Sequence, residues 1–438
     1  MAIGVAFADS SIVVLALPDL YGHFHTSIEG VSWVITAYNA AVTVAAFGLI
    51  AVIHRIRARW ILVIGLFLFF SASVACSLAG SLAFLITARC FQGAGAALLL
   101  AGALPVLGAL TGSVDRGAAI WTLAGTFGIA LGPALGGVLT QAFDWRAIFA
   151  AQAPVAALGL VGAFLSPGGA TLEEGWRSSL AATLPANACL GLLFGALVGV
   201  LFLAVLLVIT VWGYSPIAGA AIVSVLPAAT IVSRPLGRWL GGLTAISGGA
   251  TLVAAGLVVL ALLPSPSAWL AAAALALCGI GLGLAVPTLS GIALDRDVGL
   301  ARSGTFTVGV RHLGLVLALA LIAPLLAAEL PAAGRQAKLK ATSVLLDAPV
   351  GLSTKVPVAL ELAGEFERAQ AGKIPDLAKP FDDHGAGHDP NLATTRDTLV
   401  ETIEETITRA FRPAFLFSAA LAALAAALAL LARRRFIE

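Results

Sequence analysis

A few ionisable side chains of this sequence lie inside long apolar runs. If those runs cross a membrane, a charged group there is costly and usually faces a cavity or a partner. Asp9 lies in the run MAIGVAFADSSIVVLALP, about 12 Å along a helix from Met1 at ~1.5 Å per residue. A carboxyl group at that depth could bind and release a proton, or it could be a structural group bonded to Ser10 or Ser11. We favour the proton-binding interpretation, because structural uses of an intramembrane aspartate are rare.

Two arginines and a histidine also lie in apolar runs. Arg89 opens TARCFQGAGAALLL, and Arg311 lies in GVRHLGLVLALAL. Each arginine could pair with a buried carboxylate or carbonyl group, or extend to the nearer membrane surface. His312 could titrate near neutral pH or be a hydrogen-bonded structural residue. We predict that Arg89, Gln92, Arg311 and His312 contribute the polar groups of a central cavity.

The run GIALGPALGG has glycines at every fourth position. Gly128, Gly132 and Gly136 leave one helix face without side chains, so a neighbouring helix can approach closely. Pro133 removes a backbone hydrogen bond and favours a bend, and Gly137 follows the last glycine of the series. This pattern predicts a helix surface that slides or bends, although ordinary packing of small residues is the alternative.

No catalytic or cofactor-binding pattern accompanies these residues. The glycine-rich runs lack the Lys-Ser or Lys-Thr of a phosphate-binding loop. The stretch FDDHGAGHDP could ligate a metal, but a solvated loop is the better interpretation. The four cysteines lie in apolar runs and suggest neither disulfides nor a zinc site. We therefore expect no enzyme activity, no cofactor and no metal.

The composition identifies the elements that must hold these groups. With 60% hydrophobic and 11% charged residues, the chain is too apolar for a soluble globule, and the runs lack the alternation of a transmembrane barrel. A net charge of +2 gives no reason to expect binding to nucleic acid. Apolar runs of spanning length predict twelve helices, near residues 2–20, 31–53, 60–80, 82–110, 117–140, 146–165, 186–212, 215–240, 246–264, 268–293, 303–328 and 411–432.

Arginines predict the orientation of the spans. Alternate loops hold most of them, at positions Arg55, Arg57, Arg59, Arg116, Arg177, Arg234, Arg238, Arg296 and Arg302, and Arg433, Arg434 and Arg435 follow the last span. The short loops on the other side hold only Arg146. Because basic residues concentrate on the cytoplasmic side, both termini should be cytoplasmic. We expect a multi-pass protein of the cell membrane, and specifically of a bacterial inner membrane.

Two polar segments divide the chain into parts. We predict a first six-helix half at 1–165, a cytoplasmic connector at 166–185 and the first five helices of a second half at 186–328. An external insertion at 329–410 should precede the last helix and basic C-terminus at 411–438. Within the insertion, helical spacing occurs in 358–370 and 394–412, and the prolines and glycines between them (Pro375, Pro380, Gly385, Gly387, Pro390) predict irregular structure.

Several motifs, in this order, resemble the drug/proton antiporter branch of the major facilitator superfamily. They are DSSIVVLALP from Asp9, RCFQGAG from Arg89, GIALGPALGG from Gly128, WRAIF from Trp145, GYSP from Gly213 and RHLG from Arg311. The loop between spans 2 and 3 departs from the branch: it reads VIHRIRARW, with His54 where an Asp is expected and Arg57 where a Gly is expected. The inner-gate role that the family gives to this loop would fall here to His54, Arg55, Arg57 and Arg59.

The resemblance implies a secondary transporter with two six-helix halves that alternate access to a central cavity. It further implies proton-coupled export, with Asp9 as the proton-coupling residue and Arg89 as its polar partner. Because the cavity is poor in charges, we expect a hydrophobic or amphipathic small substrate rather than a sugar phosphate or an anion. A lipid exporter, an uncoupled facilitator and a non-transporting receptor or scaffold that presents 329–410 to an outside partner are the alternatives. We expect a monomer that contacts membrane lipid.

Overall fold

A computed structural model describes residues 1–166, 180–237, 239–263, 265–294, 299–368 and 377–433. Within these ranges the chain is helical and contains no strand. The helices are α1 (Ala2–Val14), α2 (Leu17–Phe24), α3 (Ile28–Val52), α4 (Ala58–Ser77), α5 (Leu82–Thr111), α6 (Val114–Ala142), α7 (Arg146–Leu165), α8 (Leu184–Val205), α9 (Pro216–Gly237), α10 (Gly242–Ala261), α11 (Ala268–Ala293), α12 (Leu300–Asp347), α13 (Leu352–Arg368), α14 (Lys379–Asp383), α15 (Pro390–Ala410) and α16 (Arg412–Leu431).

Eleven helical segments of the described ranges are long and apolar enough to cross a membrane, and the bent pair α1 and α2 makes a twelfth. The two helices of that pair meet at 58°, where Pro18 in the first turn of α2 lacks the N–H that a continuous helix needs. The prediction of an all-α membrane protein with twelve spanning helices is therefore confirmed.

Short polar side chains explain where several spans begin. Ser27, Ser81, Ser113 and Ser267 each accept a hydrogen bond from a backbone N–H in the first turn of α3, α5, α6 and α11. Such caps satisfy N–H groups that have no partner within the helix. At the other end of α5, Gly112 has φ of +62°, a left-handed conformation that favours glycine and ends the helix.

One predicted boundary, between 328 and 329, falls inside a continuous helix. α12 has 48 residues, which corresponds to about 72 Å, whereas the hydrocarbon core of a bilayer is ~30 Å thick. Pro324 and Pro331 lie within α12 without ending it. The first part of the predicted insertion is therefore a rigid extension of the eleventh span and not a separate segment.

The rest of the insertion packs against this extension. α13 and α15 are the two helices predicted there, and α14 occupies part of the stretch that was expected to be irregular. Their buried apolar side chains form a cluster of their own with α12 (Ala337, Ala341, Leu345, Val358, Leu362, Leu377, Phe381, Ala386, Leu392, Leu399 and Ile403). Trp212 Nε1, just after the π-helical turn that continues α8, donates to Thr408 Oγ1 at 3.0 Å. The insertion thus has its own small core and rests on the bundle.

Parts of some predictions lie outside the described residues. They are 167–179 of the connector, together with Arg177, Arg238, Arg296, Pro375, Arg434 and Arg435. The division into domains and the connector therefore stay predictions.

Candidate functional site

Asp9 lies in the middle of α1 with its side chain fully buried among the neighbouring helices. Its Oδ2 lies 2.6 Å from Nη1 of Arg89 on α5, which is also fully buried. Gln152 on α7 donates from Nε2 to Oδ1 of Asp9 at 3.0 Å. Ser10 and Ser11 instead donate to Asn39 and to the carbonyl oxygen of Ala8. The carboxylate is therefore held from α5 and α7, and not by the neighbouring hydroxyl groups.

Gln92 completes a closed ring of hydrogen bonds and an ion pair with these three residues. Its Oε1 accepts from Arg89 Nη1 at 2.7 Å, and its Nε2 donates to Oε1 of Gln152 at 2.7 Å. The same Nε2 also donates to Ser73 Oγ on α4 at 2.9 Å. Asp9, Arg89, Gln92 and Gln152, which we call the polar ring, thereby connect three helices in the interior of the bundle. Buried charges of opposite sign are tolerated only with such close pairing.

Further contacts fix the position of Arg89. Its Nε donates to the carbonyl oxygen of Val34 at 2.9 Å, and the guanidinium lies over the ring of Tyr38 at 4.2 Å. Tyr38 in turn donates its hydroxyl group to the carbonyl oxygen of Ala6 at 3.0 Å. Arg89 does not extend to the membrane surface, because these contacts and Asp9 hold it inside.

Arg311 and His312 lie on α12, apart from the polar ring. Nδ1 of His312 lies 2.6 Å from Oδ1 of Asn39 on α3, so the pair connects the two predicted halves. Arg311 donates from Nη2 to Ser290 on α11, and its guanidinium lies 4.9 Å from the ring centre of Phe194 on α8. The two neighbours therefore face different surroundings.

Two of the cavities between the described helices are lined by Arg311. The larger, of about 790 Å³ including space that opens outward, is lined by α6, α8, α9 and α11 together with Phe7 of α1 and Arg311. The smaller, of about 500 Å³, is lined by Ser10, Ser11, Arg311 and His312 among apolar neighbours. Arg89 and Gln92 line neither of them. Arg89 and Gln92 thus lie outside these two cavities, and the prediction that all four polar residues face one central cavity stays a prediction.

The glycine series of α6 faces α1. A Cβ atom at Gly128 would lie 2.8 Å from Cα of Gly4, and one at Gly136 would lie 2.5 Å from the carbonyl oxygen of Ile12. Gly132 faces the same helix, where a Cβ would lie 3.1 Å from the backbone nitrogen of Ile12. Larger residues would force the two helices apart, since real Cβ atoms do not approach backbone so closely.

Gly137 and Pro133 are also buried in α6. A Cβ at Gly137 would lie 2.8 Å from the carbonyl oxygen of Pro216 at the start of α9, and Gln141 Oε1 accepts from the backbone nitrogen of Ile217 at 2.9 Å. The C-terminal end of α6 is thus in contact with the N-terminal end of α9. The larger cavity lies between other parts of the same two helices, from Trp121 to Ala130 on α6 and from Leu226 to Arg234 on α9.

The predicted inner-gate loop lies between α3 and α4. His54 and Arg55 belong to a 3₁₀ turn, Ile53–Arg55, and Arg55 Nε donates to His54 Nε2 at 3.3 Å. Arg57 caps the start of α4, and Arg59 in its first turn donates to the carbonyl oxygen of Phe164 at the end of α7. A gating role of these four residues stays a prediction.

Two other predictions concern the insertion. Among the described residues, no group of three His, Cys, Asp or Glu side chains could hold a metal ion. In the stretch FDDHGAGHDP, Asp382 pairs with Arg396 at 2.6 Å, and His384 lies 3.7 Å from Glu361. These side chains therefore have partners within the insertion.

Several residues of the site were not identified from the sequence. Gln152, Tyr38, Asn39, Ser73 and Ser290 were not predicted as site residues. All of them are polar or aromatic side chains in apolar helices, and this property could have identified them in the sequence. Their partners lie far away in the sequence, so spacing alone could not reveal the contacts.

Apolar helical segments that can cross a membrane up to twelve times define a multi-pass membrane protein. Residues 1–319 match the family model described as Major Facilitator Superfamily, and the chain belongs to that superfamily. Its members are transporters and not enzymes.

Curated relatives include drug resistance proteins. The multidrug resistance protein Stp of Mycobacterium tuberculosis (strain CDC 1551 / Oshkosh) is 38% identical over 157 residues, which cover 35% of this chain and 29% of that protein. The lincomycin resistance protein of Streptomyces lincolnensis is 36% identical over 162 residues, which cover 36% of this chain and 33% of that protein. The chain thus matches about a third of the length of these relatives.

Solved structures share the fold along the chain. A bacterial homolog of the human lysosomal transporter Spinster, in an inward-facing and occupied conformation, has a TM-score of 0.69 at 15% identity and covers all of this chain and 95% of its own. The xylose transporter XylE from E. coli has a TM-score of 0.61 at 14% identity, covering 73% of this chain and 88% of its own. These similarities show the fold alone.

Proposed function

We propose that the protein is a proton-coupled exporter of hydrophobic or amphipathic small molecules, with Asp9 as the proton site. The observation that carries this proposal is the polar ring, in which a fully buried carboxylate of α1 is paired with Arg89. A proton on Asp9 would remove its negative charge, weaken the pairing with Arg89 and change what holds α1 in place. The similarity to multidrug and lincomycin resistance proteins favours export of small molecules.

α1 connects the proton site with the cavities. While Asp9 faces α5 and α7, Phe7 lines both cavities and Ser10 and Ser11 line the smaller one. Gly128, Gly132 and Gly136 have no side chains that interlock with α1, so this part of the interface offers little resistance to movement of one helix along the other. Protonation at Asp9 could therefore be transmitted to the cavity as a displacement of α1.

The test uses purified protein in liposomes that contain a pH-sensitive dye. Addition of a permanently charged amphiphile, dodecyltrimethylammonium or dodecanesulfonate, should cause proton movement above that of protein-free vesicles. Transport of either amphiphile without proton movement would support an uncoupled facilitator and contradict the coupling. Absence of transport, together with tight capture of an extracellular protein through the insertion, would support the receptor alternative and contradict transport.

We further propose that the protein lies in the cell membrane with both termini in the cytoplasm and the insertion outside. The support is the distribution of arginines, since Arg55, Arg57 and Arg59 lie where α3 ends and α4 begins, while α13 and α15 follow the eleventh span.

Cysteine labelling tests this orientation. Cys90, the exposed one of the four cysteines, would first be replaced by serine. In intact cells, an impermeant maleimide should then label Ser353→Cys, on the exposed side of α13, and should label His54→Cys only after the cells are opened. The reverse pattern would contradict the proposed orientation.

A further inference from the structure

The larger cavity has an uneven distribution of charge. Most of its lining is apolar, and the remainder consists of small hydroxyl side chains and two arginines, Arg234 and Arg311. No Asp or Glu is among the described residues that line either cavity. A ligand that enters this space therefore meets hydrophobic surface and positive charge.

Arg311 is the better placed of the two arginines, because it lines both cavities. Its side chain is 8% exposed, and within the described part of the chain it forms no ion pair with a carboxylate. Nη2 donates to Ser290, the guanidinium lies against the Phe194 ring, and Nε has no hydrogen-bond partner. An arginine stays protonated in proteins, so this is a buried positive charge with an unused donor.

Arg89 provides a comparison within the same bundle. It is also buried, but Asp9 lies 2.6 Å from its Nη1 and Gln92 accepts a further hydrogen bond. Buried charges in proteins are normally paired in this way, because removal from water is costly. Among the described residues, Arg89 therefore has a counterion, whereas Arg311 faces the cavities without one.

We infer that Arg311 binds the anionic head group of an amphipathic substrate whose apolar part occupies the larger cavity. A guanidinium has several N–H donors in one plane and matches carboxylate, sulfonate or phosphate oxygens. Phe7, Ile129, Phe194 and Leu197 line both cavities beside Arg311, so an apolar chain attached to the head group would meet hydrophobic surface immediately.

This inference rests on the proposed function and narrows its substrate class. From the sequence, an anion was expected to be disfavoured because few charges lie in the bundle. The structure shows that the sign of those charges matters more than their number, because the only described negative charge close to the cavities, Asp9, is already paired with Arg89. An amphipathic anion is therefore preferred over a cation with the same apolar chain.

The experiment compares two probes that share a dodecyl chain. Saturable binding of dodecanesulfonate and dodecyltrimethylammonium to the purified protein in a maltoside detergent should favour the sulfonate. Arg311→Gln should weaken sulfonate binding about tenfold or more, the usual effect of losing a charge-assisted hydrogen bond, and should not weaken binding of the ammonium compound. Arg311→Lys should keep the preference for the sulfonate in part. Arg146→Gln, a partly exposed arginine at the start of α7, is the matched control and should change neither.

Equal binding of the two probes by the wild-type protein would overturn the inference. So would unchanged sulfonate binding by an Arg311→Gln protein with a normal unfolding temperature. If Arg311→Gln does not fold, loss of the sulfonate preference in Arg311→Lys overturns it, and retention supports it. Two outcomes separate this inference from the proposed function. If sulfonate binding depends on Arg311 but no protons move in liposomes, only the proposed function is contradicted. If the ammonium compound is transported with proton coupling and the sulfonate does not bind, only this inference is contradicted.

Discussion

Replacement of Asp9 by asparagine is expected to reduce amphiphile-driven proton movement in liposomes to the level of protein-free vesicles. Asparagine has nearly the same shape and can still accept the hydrogen bond from Gln152, but it cannot carry a proton. Without a titrating group in the polar ring, protonation can no longer alter the pairing of α1 with Arg89. The measurement is the rate of internal pH change after addition of dodecanesulfonate or dodecyltrimethylammonium.

A matched control for this variant is Asp144→Asn. Asp144 precedes α7, is half exposed and lies 3.7 Å from Arg146, so its charge is not buried in the bundle. Its replacement should leave proton movement within about twofold of the wild type, because exposed ion pairs contribute little. Proton movement by Asp9→Asn at the wild-type rate would show that another group carries the proton. Binding of the probes in detergent should persist in Asp9→Asn, since Asp9 lines neither cavity.

The fold could be predicted from the sequence to a large extent because the membrane imposes a length on each apolar run. The proline after Ala16–Leu17 and the serines before α3, α5, α6 and α11 indicate where helices break and begin. The length of α12 could not be predicted in the same way. Its second part is polar, and hydropathy records the end of the hydrocarbon layer, not the end of the helix.

The sequence predicted several residues of the candidate site, but it did not predict how these residues are grouped in the structure. Asp9 and Arg89 were recognised because an ionisable group in an apolar run is conspicuous, and the structure places them in contact. Gln152 lies 143 positions after Asp9, so its contact depends on how α1 and α7 pack. The same packing separates Arg89 and Gln92 from the cavities that Arg311 and His312 line. Whether a side chain faces a cavity or a neighbouring helix depends on how the helices pack. Hydropathy gives no information about that packing.

The second prediction with a large expected effect concerns how the ion pair in the polar ring contributes to the stability of the protein. Asp9→Asn should lower the free energy of unfolding by about 3–5 kcal/mol, because it leaves the guanidinium of Arg89 buried without its counterion. Arg89→Gln should cost less, since a proton can neutralise Asp9 whereas nothing can neutralise an arginine. The double variant Asp9→Asn/Arg89→Gln removes both charges and should recover most of the loss. The measurement is reversible unfolding in mixed detergent for the wild type, the two single variants and the double variant.

The four free energies form a double-mutant cycle, and its interaction term measures the pairing of Asp9 with Arg89. An interaction term near zero would contradict the ion pair as a stabilising contact. Gln92 and Gln152 keep their mutual hydrogen bond in all four proteins, so the comparison isolates the charges.

The double variant also separates the two roles of Asp9. If asparagine at this position stopped proton coupling only because the protein unfolded, then recovery of stability by Arg89→Gln would also restore proton movement. If Asp9 is the proton site, the double variant should be stable and should still bind the amphiphile through Arg311, which lies on α12 outside the polar ring, yet should move no protons. A stable and binding-competent protein without coupling is the combination that only a proton-binding role of Asp9 predicts. Restored coupling in the double variant would assign Asp9 to the stability of the bundle and the proton to another group.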